Sequence, residues 1–172
     1  MSAFTRWFFA MREKREDGAT PRVMLASRLI SLYRIDREWT ENYLLPLFDW
    51  SRSHNRAKES WIGFLRFARL YRTLFAAPAF KSQFLKTVQH YNELGKYGGQ
   101  YAIILTRTAL ELSETYTILE LQKTINALPT EGVEEVAQAL VMALESAGQQ
   151  ENYWTNRIMP FWKNCGLNRA II

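Results

Sequence analysis

Apolar residues along this chain recur at intervals of three and four, the spacing that lines one face of an α-helix, rather than alternating as in a half-buried strand. An amphipathic stretch over residues 4–15 is stopped by Asp17-Gly18, and Thr20-Pro21 then supplies a cap residue followed by a first-turn proline. The spacing predicts a helix over residues 21–33, with Ala26, Leu29, Ile30 and Tyr33 on its inner stripe. Asp36 opens a third segment, where Trp39, Tyr43, Leu47 and Trp50 share a face. Pro46 lies inside that segment. It has no N–H to donate and its ring collides with the carbonyl four residues back, so a kink or a fresh helix start is predicted at residues 43–45. Further helices are predicted over residues 57–69 and 80–91, the second ended by Gly95, Gly98 and Gly99. Residues 101–112 carry few charges and are expected to be the most buried element. Helices over 117–128, 133–147 and 149–162 complete the chain, the last with a second internal proline, Pro160.

About nine helices joined by short loops make an all-α domain, either an irregular multi-helix bundle or a short α-solenoid. Residues 1–172 read as one domain, with N-terminal helices over 1–35, a main body over 36–163 and a tail over 164–172. One internal echo favours stacked repeats. Trp39-Thr40-Glu41-Asn42-Tyr43-Leu44-Leu45-Pro46-Leu47-Phe48 is answered, with a one-residue gap, by Trp154-Thr155-Asn156-Arg157-Ile158-Met159-Pro160-Phe161-Trp162. The two copies are much further apart than the roughly 20 to 50 residues of ordinary repeat arrays.

Composition agrees with a globular chain: of 172 residues 48% are apolar and 23% charged, enough to bury a core without disulfide staples. The lone Cys165 cannot form an internal bridge, which points to a reducing cytoplasm. No apolar run approaches the roughly 18 to 20 residues of a membrane span, and the N-terminus lacks the order of a secretory signal. A cytoplasmic protein with no membrane partner is expected.

Charge changes the picture. The net +5 conceals residues 1–86 with 16 Lys and Arg against 8 Asp and Glu, and residues 87–172 with 6 against 9. Such a split marks a surface for a nucleic acid, an acidic protein face or a neighbouring domain. Arg66, Arg69 and Arg72 recur every three residues and on a helix would form one guanidinium ridge, either a solvated face or a dock for carboxylates or phosphates. Arg52 and Arg56 could widen it, and Trp7 and Phe8 could cover a partner.

Catalytic chemistry finds little footing. Gly95-Lys96-Tyr97-Gly98-Gly99 has neither phosphate-loop nor dinucleotide spacing, and His54, His90 and Cys165 are isolated in sequence. Glu134-Glu135 fall in the first turn of a predicted helix, where carboxylates favour the dipole. No catalytic, cofactor-binding or metal-binding residue is expected.

The framework is nonetheless familiar. Residues 39–51, Trp61-Ile62-Gly63-Phe64-Leu65, His90-Tyr91 through Gly98-Gly99-Gln100-Tyr101-Ala102, Ala127-Leu128-Pro129 and Tyr153-Trp154 to Phe161-Trp162 resemble the C-terminal helical domain of large bacterial sirtuin-like anti-phage defence proteins. In that family NAD is cleaved by an N-terminal sirtuin-like domain, whose Rossmann-type glycines and catalytic histidine have no counterpart here. The resemblance implies a non-catalytic recognition or regulatory segment that binds a phage component or a sirtuin-like enzyme domain. The apolar ending Asn168-Arg169-Ala170-Ile171-Ile172 is that expected of a chain cut from a longer one. A basic nucleic-acid-binding helical module is the competing expectation.

Overall fold

The computed structural model describes residues 19–165, and among them every regular element is helical and no strand occurs. The chain is all-α, as its spacing predicts. The helix expected over residues 4–15, with Trp7 and Phe8, lies outside the described residues. The chain packs as two compact units, Met1–Phe67 and Ala68–Ile172.

In the first unit the helix predicted over 21–33 is two helices, α1 (Ala19–Ser27) and α2 (Leu29–Ile35). The Ser27 hydroxyl donates to the Met24 carbonyl at 2.6 Å, competing with the backbone ladder, and Arg28 leaves helical geometry at φ −105°. Helix α3 (Arg37–Trp39) is capped by the Asp36 carboxylate, which accepts from the Trp39 N–H at 2.9 Å. It widens into a π turn (Thr40–Leu44) and then tightens into a 3-10 turn (Leu45–Phe48). Helix α4 (His54–Leu65) buries Ala57, Trp61, Phe64 and Leu65. It meets α1 at Gly63, where a Cβ would stand 2.4 Å from the Val23 carbonyl oxygen. Phe48 packs edge-on to Trp61 and Phe64, and the indole N–H donates to the Phe48 carbonyl at 3.1 Å.

The second unit runs through α5 (Arg72–Ala76), α6 (Pro78–Lys86) and a 3-10 segment (Thr87–Tyr97) that is broken at His90 and at Gly95, whose φ is +55°. The glycine cluster divides its labour. Gly95 takes the left-handed conformation, whereas Gly98 opens α7 (Gly98–Glu111) against the ring of Tyr91. As expected, α7 is deeply buried, through Tyr101, Ala102, Ile104, Leu105 and Leu110, and it packs on α9 (Thr130–Ser146). Between them lies α8 (Ile118–Asn126) in sequence, its first turn closed by a reciprocal bond pair between Thr117 and Glu120. Phe75, Phe80, Phe84, Tyr101 and Tyr116 form the aromatic core. The two phenols donate to the Phe84 and Phe75 carbonyls at 2.9 and 2.8 Å, and burial raises both pKa values so that they remain donors. The chain then enters α10 (Gln150–Tyr153), a second π turn (Trp154–Ile158) and α11 (Met159–Cys165). No helix among the described residues is long and apolar enough to cross a membrane.

The two internal prolines follow the same turn. The Leu45 N–H reaches five residues back to the Thr40 carbonyl, and the Met159 N–H likewise reaches Trp154. In each case the next residue is proline, which has no N–H for the carbonyl of Asn42 or Asn156 and cannot sit in a regular α turn without collision. Aligned on these prolines, residues 42–48 run beside 156–162 with no gap, sharing the asparagine and the proline with apolar residues at 44, 45, 47 and 48 opposite 158, 159, 161 and 162, and Leu44 and Ile158 are buried at the same register. The predicted kink is thus a widened turn, present twice.

Candidate functional site

Each widened turn lines a groove within its own unit. In the first, Asn42 and Tyr43 of the turn, and Pro46, Asp49, Arg52 and Arg56 beyond it, line a cleft of about 280 Å³. Arg52 pairs with Asp49 at 3.5 Å, and Arg56 has no hydrogen-bonded or ionic partner among the described residues.

The second groove is larger, about 730 Å³, and open to solvent. Helix α7 contributes Arg107 and Glu111, the end of α9 contributes Ala143 and Ser146, and α10 with its π turn contributes Asn152, Tyr153, Asn156 and Arg157. The Tyr153 hydroxyl donates to Glu111 Oε1 at 2.7 Å. Burial, and then this bond to a carboxylate, push the phenol up to about 12, so near neutral pH it keeps its proton and donates. Arg157 donates to the Leu110 carbonyl at 3.0 Å. Neither Arg107 nor Arg157 has a carboxylate partner among the described residues. The carboxamides form a row: Asn152 donates to Gln149 Oε1 at 3.2 Å, and Asn156 donates to Asn152 Oδ1. These bonds hold three amides in a fixed order along one helical face.

The expected arginine ridge is not formed. Helix α4 ends at Leu65, where the Arg66 and Phe67 N–H groups tighten onto the carbonyls of Ile62 and Phe64, and residues 68–71 are not helical. The apolar stripe ends with Phe64 and Leu65, and Phe67, at 66% exposure, gives a further turn nothing to bury. Arg66 therefore closes one helix, Arg69 stands between helices, and Arg72 starts α5, donating to the Glu111 carbonyl and pairing with Glu114. Of the sequence candidates, Arg52 and Arg56 share a groove, while Trp7 and Phe8 fall outside the described residues. Sequence spacing does not point to Arg107, Glu111, Asn152, Tyr153, Asn156 or Arg157 as a group, although the tryptophan-to-proline echo runs through two of them, Asn156 and Arg157. Trp154, which opens the second copy of the echo, is 45% exposed. Cys165 is buried, and burial alone raises its thiol to about 11.

No protein-family model, curated protein or solved structure matches the chain.

Proposed function

We propose that this chain is a non-catalytic helical interaction domain, acting in the cytoplasm as the recognition or regulatory part of a sirtuin-type anti-phage defence system. Its partner is a protein, either a phage component or a sirtuin-like enzyme domain, seated on the groove of the second unit. The observation that carries this reading is that groove, whose polar side chains are bonded to one another and whose two arginines lack carboxylates. Tyr153 and Cys165 both hold their protons near neutral pH, which suits contact better than proton abstraction or nucleophilic attack. The framework resemblance supplies the biological setting.

The test has two arms. The purified chain incubated with NAD is expected to leave it intact, and NAD loss would overturn the non-catalytic reading. Co-expressed with a sirtuin-like polypeptide or with phage structural proteins, the chain is expected to co-purify with one identified protein, and Arg107→Glu/Arg157→Glu to lose it. Recovery of nucleic acid alone, abolished by nuclease, would instead support the basic nucleic-acid module.

A further inference from the structure

We infer that the groove of the second unit binds an extended acidic peptide segment, with Gln149, Asn152 and Asn156 meeting its main chain and Arg107 and Arg157 meeting its carboxylates. This rests on the interaction-domain reading and specifies the partner's chemistry. A carboxamide is the side chain that offers both a donor and an acceptor, which is what each residue of an extended main chain requires. From Gln149 to Asn156 the helical rise covers about 10 Å. An extended peptide advances about 3.3 Å per residue, so the amide row spans roughly three residues of it.

The row is prearranged. The bonds Asn152 to Gln149 and Asn156 to Asn152 use one hydrogen of each donor, leaving the second hydrogens of Asn152 and Asn156, both hydrogens of Gln149, and Asn156 Oδ1. A ligand therefore meets amides whose orientation is already set, which lowers the ordering cost of binding. Charge then selects among peptides. Among the described residues Glu111 is the one carboxylate lining the groove, and Tyr153 already occupies one of its oxygens at 2.7 Å. Arg107 and Arg157, without carboxylate partners of their own, leave the groove with an excess of positive charge and two guanidinium forks suited to Glu or Asp side chains. A single-stranded nucleic acid would call for a longer basic track and stacking faces; here the one aromatic ring is Tyr153.

The probes are fluorescein-labelled octaglutamate, the same peptide N-methylated at alternate residues, octalysine and octathymidylate, each titrated against the full chain at low salt by fluorescence anisotropy. Octaglutamate is expected to bind, N-methylation to weaken it tenfold or more, and octalysine to show no binding. Arg107→Glu, at an exposed position of α7, is expected to weaken octaglutamate at least tenfold with an unchanged circular dichroism spectrum. Asn152→Ala/Asn156→Ala is expected to weaken the parent peptide about tenfold and to leave the N-methylated one unchanged. Equal binding of the two glutamate peptides would overturn main-chain reading. Indifference to Arg107→Glu, or tighter binding of octathymidylate, would overturn the acidic peptide. Should octaglutamate fail while the chain still co-purifies with an identified protein, this inference falls and the interaction-domain reading stands; should both fail, both fall.

Discussion

Gly63 is the point where two helices of the first unit come closest. On an exposed helix, replacing glycine by alanine would gain about 1 kcal/mol. Here the added Cβ would stand 2.4 Å from the backbone oxygen of Val23, on a helix that cannot yield as a flexible side chain can. Overpacking of this kind costs about 1 to 3 kcal/mol. Gly63→Ala is therefore expected to lower the melting temperature, which a circular dichroism melt would show. Tyr153 offers a test of sign. Its folded pKa of about 12 lies above the roughly 10 of an unfolded phenol, so its contribution is complete below pH 10 and is lost as pH climbs through 12. Urea midpoints measured between pH 10 and 12 are expected to fall less for Tyr153→Phe than for the parent. Arg52 and Arg56 were legible only as an extension of the arginine run that follows them, and the groove they share with the first proline was not; nor was Arg107. It sits alone among apolar residues of α7, and only the fold brings Glu111 and Tyr153 to it.

Helix ends depend on caps and on what the next turn would bury. At α8 the Thr117 hydroxyl accepts from the Glu120 N–H at 3.2 Å, and the Glu120 carboxylate accepts from the Thr117 N–H at 2.9 Å. Burial alone would raise the Glu120 pKa, but hydrogen bonds from Lys81 and from both Thr117 groups outweigh it and hold the carboxyl below its usual range. Thr117→Ala is expected to cost about 1 kcal/mol in urea unfolding, the usual worth of such a cap. Helical spacing made most elements visible, including the buried α7 and the disturbance before Pro46. It could not show that α4 stops at Leu65, because arginines at every third position continue the pattern on paper while adding no apolar surface. The break at Arg28 was hidden for a different reason: it follows from a local Ser27 hydroxyl bond, which leaves no trace in periodicity.

At the scale of the whole chain, the boundary after Phe67 is bordered by exposed arginines outside regular helix. Trypsin cleaves exposed, non-helical backbone most readily, so brief digestion is expected to cut after Arg66 or Arg69 before the helices. Mass spectrometry would identify the two fragments, and first cuts inside α4 or α7 would contradict this. Counted by unit, Lys and Arg number 12 against 8 acids over residues 1–67 and 10 against 9 over 68–172, so the excess of charge belongs mostly to the first. Among the described residues each unit also holds one widened turn, and that has a consequence for chain length. A π turn carries one residue more than an α turn, and the extra residue is what carries the following proline clear of the carbonyl four back. Removing Thr155 would restore the α count but return Pro160 to that collision. A chain lacking Thr155 is therefore expected to lose helix content by circular dichroism, and the same deletion combined with Pro160→Ala to keep it. Each extra residue and its proline can be dropped only together.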